Sequence, residues 1–190
     1  MDAAWAPVLD AARLPRKLPH VNIDTNLGET GCGDVSEGGN ADFVGLYCGT
    51  IDTMYLPLDR TLAIDGGEPA THVALLAHEY AHHVQEESGL LGTVQRDMEQ
   101  AGQAAPVVED LGRRLELQAN CFAGLFIGAA AGHGSFSHGL AEGSMTLFRY
   151  GESSPTHGSA VNQHLWAQRG FQRRTTAACD TFAAPAGEVA

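Results

Sequence analysis

The segment His78-Glu79-Tyr80-Ala81-His82 has residue types and spacing suited to binding a metal ion. Residues four apart share one face of an α-helix, so both imidazoles can reach the same ion. Zinc accepts neutral imidazoles and can keep an open fourth position for water. Bound zinc would lower the pKa of that water toward ~7, and Glu79 could take its proton. The segment therefore predicts a zinc site with a general base beside it.

A two-histidine site needs a third protein ligand, and Glu116 is the candidate. It stands between Leu115 and Leu117 in a stretch that reads as a half-buried helix, where a carboxylate needs a partner. That partner could be the metal, or it could be Arg113 in an ordinary salt bridge. The spacing alone leaves both interpretations open.

Asn120 follows Glu116 by four residues and shares its helix face. It could accept a hydrogen bond from the far nitrogen of a ligand histidine, a task usually given to carboxylate or carbonyl oxygens. The alternative is an ordinary polar residue on the helix surface.

Three other histidines are expected to lie outside the metal shell. His83 follows His82 and points about 100° away around the helix, which favours a structural or surface role. His133 and His138 stand in the Gly/Ser-rich segment 132–139, where solvated side chains are expected. None of the three is expected to bind the metal.

Helices must position the candidate ligands, since apolar residues repeat at helical spacing around both motifs. One helix is predicted to carry the HExxH segment, and a second long helix, beginning at Pro106, to carry Glu116. The small residues Gly124 and Gly128 on the second helix predict close packing against another helix. The predicted helices cover residues 2–13, 70–87, 106–130, 140–149 and 159–169.

The segments between the helices predict a small amount of β-structure. Residues 42–59 read as a β-hairpin about a turn at 49–52, after a glycine-rich loop at 28–41. The expected fold class is α+β, mainly helical with a small antiparallel hairpin or sheet. We expect a single domain over residues 1–190, with an N-terminal extension at 1–27 and a partly mobile tail at 175–190.

The composition is typical of a globular protein and excludes several function classes. The 190 residues are 44% hydrophobic and 18% charged, with a net charge of −12. This acidic balance argues against nucleic acid and against anionic membrane surfaces, because both require a basic patch. The longest apolar run, residues 121–132, is well short of the roughly 20 residues that a spanning helix needs. The N-terminal residues show no signal-peptide pattern, which fits either a mature chain or a cytosolic protein.

The two motifs together resemble a known family. HEYAHHVQ at 78–85 and RLELQANCFAG at 114–124 are similar to the patterns H-E-Y-G-H-H-x-Q and R-x-E-L-Q-A-D-C-x-A-G of the bacterial "putative neutral zinc metallopeptidase" family. Tyr47-Cys48 ahead of Tyr55-Leu56 is similar to that family's hairpin before the active helix. The segment from Thr156-His157-Gly158-Ser159 to Phe182 is similar to its C-terminal signature, so the resemblance spans about residues 30–182.

The resemblance implies a zincin-type fold, in which the hairpin's edge strand borders the cleft and the HExxH helix forms its floor. It implies Glu116 as the third ligand, as in the thermolysin-like gluzincins, and an exported or cell-envelope location. The chain departs from the family pattern at Asn120, where Asp is expected, and at Asn162-Gln163, where Gln-Arg is expected. The three ligands and Glu79 are intact.

The four cysteines contain no Cys-x-x-Cys pair, and their even number fits two disulfides or four buried thiols. The exported location that the resemblance implies favours disulfides. The pairs Cys32–Cys48 and Cys121–Cys179 are then favoured, because they are closer in sequence. Free thiols would instead indicate the cytoplasm.

The sequence thus predicts a zinc-dependent metallopeptidase that hydrolyses peptide bonds in a peptide or protein substrate. His78, His82 and Glu116 would bind zinc, with Glu79 as general base. An extended substrate would pair with the edge strand of the hairpin. The alternatives are a catalytically silent zinc-binding module and a processing peptidase dedicated to one partner peptide.

His157 is the candidate for stabilising the negative charge that develops on the former carbonyl oxygen. It lies just before a predicted helix, and the adjacent Gly158 allows close approach of the backbone. The alternative is that His157 caps the helix or holds the loop. Tyr80 is a weaker candidate for the same task, because it could turn into the core.

Overall fold

The computed structural model describes residues 1–24, 29–34 and 43–190. Seven α-helices lie within these residues: α1 Asp2–Ala12, α2 Leu58–Asp65, α3 Pro69–Glu87, α4 Leu90–Ala101, α5 Ala105–Ala130, α6 His138–Leu147 and α7 Ala160–Arg173. The strands are β1 His20–Asn22, β2 Glu29–Thr30, β3 Gly33–Asp34, β4 Leu46–Cys48 and β5 Thr53–Tyr55. The mainly helical α+β class is therefore confirmed, and the predicted single-domain boundaries stay a prediction.

The long helix α5 is the centre of the fold, and α7 packs directly on its backbone. A Cβ atom on Gly124 would overlap the carbonyl oxygen of Ala167, and one on Gly170 would overlap that of Cys121. Glycines at the crossing therefore let the two helices touch main chain to main chain. The predicted close packing of this stretch of α5 is confirmed.

Helix α3 packs on another side of α5 and carries the HExxH segment. Its first helical residue is Pro69, whose missing N–H costs nothing at that position. Helix α1 covers the same core, with the Trp5 and Phe122 rings at 5.4 Å in an edge-on arrangement. The candidate ligands therefore stand on two rigid helices that share a core.

The small sheet has the strand order β1–β5–β4 and mixed direction. Strands β4 and β5 pair antiparallel about a single 3₁₀ turn, Gly49–Ile51, which confirms the predicted hairpin. Strand β1 pairs with β5 in parallel. Strand β1 was not predictable from the sequence, because a strand of three residues is too short to show an alternating pattern. The predicted loop at 28–41 lies largely outside the described residues, and within it β2 and β3 form a two-residue-long hairpin.

Helices α2 and α4 are absent from the sequence prediction. Ser88-Gly89 reads as the end of a helix, and it does end α3. Gly89 has a φ of 74°, however, which turns the chain at once into α4. Leu91 and Val94 of α4 are then buried against the core.

The tail at 175–190 is packed against the core, contrary to the predicted partial mobility. Arg114 Nη1 donates hydrogen bonds to the carbonyls of Thr181, Phe182 and Ala184, and Thr181 donates back to the Arg114 carbonyl. Val189 is 1% exposed. The partly buried side chain of Arg114 on α5 thus satisfies three carbonyl groups of the tail and holds it on the core.

Both favoured disulfides are present, Cys32–Cys48 and Cys121–Cys179, with Cα atoms 5.6 Å apart in each. The first joins the β2–β3 hairpin to β4, and the second joins α5 to the tail. Within the described part of the chain, no helix is both long enough and apolar enough to cross a membrane.

Candidate metal centre

Three side chains from α3 and α5 converge on one point. His78 Nε2 and His82 Nε2 are 3.2 Å apart, and each lies 3.2 Å from Glu116 Oε2. The three atoms form an equilateral triangle. A tetrahedral zinc ion with bonds of about 2.0–2.1 Å separates its ligand atoms by about 3.3 Å, so the triangle has the dimensions of one face of a zinc site.

Hydrogen bonds behind the imidazoles orient the rings for metal binding. His78 Nδ1 lies 2.9 Å from Asn120 Oδ1, and His82 Nδ1 lies 2.8 Å from Gln85 Oε1. Both partners are acceptors, so each Nδ1 carries the proton and each Nε2 directs a lone pair into the triangle. Two lone pairs and a carboxylate oxygen within 3.2 Å of one another favour a cation, either a metal ion or a proton, between them.

The orientation of Gln85 is itself fixed by the fold. Gln85 is fully buried, and its Nε2 donates to the Leu115 carbonyl at 2.9 Å and to Gln118 Oε1 at 3.1 Å. Gln118 Nε2 in turn donates to the carbonyl of Cys179. This chain of amides ties the His82 ring to α5 and to the tail, and it turns Gln85 Oε1 toward His82 Nδ1.

The electrostatics of the triangle also favour a positive charge at its centre. Burial would raise the pKa of Glu116, but in the absence of metal the protonated forms of His82 and His78 hold it well below its usual range. Burial would likewise lower the pKa of His82, but Glu116 raises it to about 9. Glu116 Oε2 is closed to solvent, and the described residues give it no well-directed hydrogen bond. A metal ion would take the place of the proton that these groups otherwise hold.

Glu79 lies beside the triangle and under the hairpin. Glu79 is only 5% exposed, and this burial raises the pKa of its carboxyl group. The nearby charges of His78 and His82 and the backbone N–H of Tyr47 oppose this rise in the pKa of Glu79. A Cβ atom on Gly45 would lie 2.5 Å from Glu79 Oε1, so glycine leaves the space that the carboxylate fills. The carboxyl group thus sits between the metal triangle and strand β4.

The structure also brings His157 to this site. His157 Nε2 lies 3.5 Å from Glu116 Oε2, and the side chain is 49% exposed. Its Nδ1 lies 3.2 Å from Ser154 Oγ and 3.1 Å from Thr156 Oγ1. Either hydroxyl can donate to Nδ1, which leaves the proton on Nε2, facing the site. Burial lowers the pKa of His157, which favours this neutral donor form.

Two side chains anchor the loop that carries His157. Arg113 Nη1 donates to the Pro155 carbonyl at 2.8 Å, and Gln163 Nε2 donates to the carbonyls of Glu152 and Gly158. Within the described residues, Arg113 also forms ion pairs with Glu109 and Asp110. The alternative of an Arg113–Glu116 salt bridge is therefore not what the structure forms.

The three histidines not expected to bind the metal, and Tyr80, take no part in the triangle. His83 is fully buried and bonded to neighbouring loops, and His133 and His138 are exposed. Tyr80 is 5% exposed and its ring packs on His83.

Sequence reasoning missed three residues that orient the site: Gln85, Gln118 and Gln163. The available signal was the position of Gln85, three residues after His82 on one helix. An uncharged polar residue in an otherwise apolar run needs a buried partner. The roles of Gln118 and Gln163 could not be found this way, because no local pattern pairs Gln118 with Gln85 and the Cys179 carbonyl, or Gln163 with the carbonyls of Glu152 and Gly158.

A known family matches this chain over most of its length. The family model described as "Putative neutral zinc metallopeptidase" matches residues 2–182. The chain belongs to this family. The chain is similar to "Uncharacterized protein Mb2605" of Mycobacterium bovis and to "Uncharacterized protein Rv2575" of Mycobacterium tuberculosis, each 29% identical over 97% of this chain and 68% of their own length. "Uncharacterized protein YpfJ" of Escherichia coli is 29% identical over 94% of this chain and 66% of its own length. No solved structure matches the chain.

Proposed function

We propose that this protein is a zinc metallopeptidase that hydrolyses peptide bonds. The observation that carries the proposal is the triangle of two imidazole nitrogens and one carboxylate oxygen, 3.2 Å on each side, with a buried carboxyl group next to it. In this proposal His78, His82 and Glu116 hold the zinc ion, and Asn120 and Gln85 fix the tautomers of the two histidines.

Zinc, when bound there, would polarise a carbonyl group and lower the pKa of water in its open position. Glu79 accepts the proton of the attacking water and later delivers it to the leaving amine. Its burial suits this task, because a raised pKa brings a carboxyl group closer to the working pH. His157 Nε2–H would donate to the oxygen on which negative charge develops.

Metal analysis combined with a cleavage assay tests this function. The purified protein should contain about one equivalent of zinc at this site and should cut a peptide library, with loss of cleavage when a chelator is added. His78→Ala or His82→Ala should release the zinc. Full zinc occupancy in either variant would show that the ligands are misassigned. Stoichiometric zinc without cleavage of any library peptide would favour the silent binding module.

We also propose that the protein works in an oxidising compartment, as a secreted or envelope-associated enzyme. The support is the two disulfides, which cytosolic reductants would not leave intact. Alkylation of the unreduced protein taken from its native host should label no thiol. Four labelled thiols would place it in a reducing compartment.

A further inference from the structure

A second group of polar side chains surrounds His83, which lies on α3 one turn beyond Glu79. This group is separate from the metal triangle. His83 is fully buried, with Nδ1 2.8 Å from Asp52 Oδ1 and Nε2 3.0 Å from the carbonyl of Lys17. The Tyr47 hydroxyl donates to the same Asp52 oxygen at 2.8 Å. Asp52, in the turn between β4 and β5, therefore receives hydrogen bonds from both the strand and the helix.

Tyr47 is held by contacts at both its backbone and its hydroxyl group. Its backbone N–H lies near the Glu79 carboxyl group, which fills the space beside Gly45, and its hydroxyl reaches His83 through Asp52. Glu79 and His83 are four residues apart, so both contacts lie on neighbouring turns of α3. With two contacts along one residue, β4 can neither slide along α3 nor lift from it without breaking a charged hydrogen bond.

We propose that Tyr47, Asp52 and His83 form a clamp that fixes strand β4 on α3 and thereby positions the Glu79 carboxylate. These three are positioning residues, and the inference rests on the proposed function only in assigning Glu79 its role in catalysis. The backbone conformation of Asp52 agrees with a dedicated role. Its φ is 49°, in the left-handed region that aspartate and asparagine tolerate better than most residues.

The same residues do not form a second metal site. Asp52, His83 and Glu87 present ligand atoms within 4.8 Å of one another. However, the two ring nitrogens of His83 already lie at hydrogen-bond distance from Asp52 Oδ1 and the Lys17 carbonyl, so an ion would have to displace one of these partners. The clamp thus accounts for these contacts without an ion.

Tyr47→Phe tests the clamp, because it removes the hydroxyl and keeps the buried ring. Tyr80→Phe is the matched control. It removes a hydroxyl from another buried tyrosine that packs on His83, and the described residues give that hydroxyl no hydrogen-bond partner. Asp52→Asn is the second variant, since asparagine keeps the left-handed backbone but loses the charge.

Amide hydrogen exchange on the zinc-loaded protein is the first readout, because it does not depend on activity. Exchange of the Tyr47 amide should be at least about tenfold faster in Tyr47→Phe and Asp52→Asn than in the wild type or in Tyr80→Phe. The amides of α5 should not change. Unchanged exchange at Tyr47, or an equal effect of Tyr80→Phe, would overturn the clamp whether or not the protein is a peptidase.

The kinetic readout separates positioning from simple stabilisation. In the two clamp variants, kcat should fall by about 10–100-fold with zinc content unchanged, whereas Tyr80→Phe should retain the wild-type kcat. A lower melting temperature with wild-type kcat in the folded protein would reduce the clamp to a structural tie and refute the proposal. A second zinc equivalent that disappears in Asp52→Asn would also overturn it in favour of a metal site.

Discussion

Replacing Asn120 by Asp should tighten zinc binding, because Asn120 contacts a ligand histidine from behind. Asn120 Oδ1 lies 2.9 Å from His78 Nδ1. A carboxylate at this position keeps the hydrogen bond, adds a negative charge behind the ring, and makes the imidazole a stronger ligand. Partners of ligand histidines typically change metal affinity by about 10–100-fold, which corresponds to about 1.4–2.7 kcal/mol.

The same change has an opposing effect on the metal-free protein. Asn120 is 4% exposed, so a new carboxylate there is buried and costly until the metal provides positive charge. Asn120→Asp should therefore lower the melting temperature of the metal-free protein below that of the metal-free wild type. The rise in melting temperature on adding zinc should be larger in Asn120→Asp than in the wild type. The described residues show Asn120 as an acceptor only, so no donated hydrogen bond is lost in the substitution.

Gln85→Glu provides the contrasting control. Gln85 Nε2 donates to the Leu115 carbonyl and to Gln118 Oε1, so a carboxylate would place an oxygen against two acceptors. This variant should weaken zinc binding, although it adds the same charge behind the other ligand histidine. Competition against a chromophoric chelator measures the affinity of all three proteins. Equal zinc affinity in the wild type and Asn120→Asp would refute the view that Asn120 tunes the metal through His78.

Three further predictions follow from the site and the disulfides. Glu79→Gln keeps the shape of the side chain but removes the base, so kcat should fall by about 10²–10⁴ with zinc retained; a loss of less than about tenfold would exclude the general-base role. His157→Ala should lower kcat by about 10²–10³ with unchanged zinc and folding, and loss of the metal on dialysis would instead make His157 a ligand. Serine at both Cys121 and Cys179 should lower the free energy of unfolding in urea by about 4 kcal/mol, since the bond closes a 58-residue span; an unchanged urea midpoint would show that the packed tail holds without it.

The sequence by itself determined the chemistry and the helices that carry it. The spacing of His78 and His82 fixes their common face on any α-helix, so the two-histidine site needed no tertiary information. The boundaries of α3 and α5 were predictable within one residue, because apolar periodicity and a proline near each start are local signals. Close packing at Gly124 was also predictable from a local signal, the small residues Gly124 and Gly128 one turn apart.

The tertiary structure alone decided which of the open alternatives is realised. Whether Glu116 faces the histidines or Arg113 depends on the rotation of α5 against α3, which the packing of buried faces sets. The approach of His157, the amide chain behind His82 and the clamp on Tyr47 join residues distant in sequence, and no local pattern encodes such pairs. The tail is the same case: its order comes from hydrogen bonds to α5 and α7, so a segment without periodicity of its own is nevertheless packed.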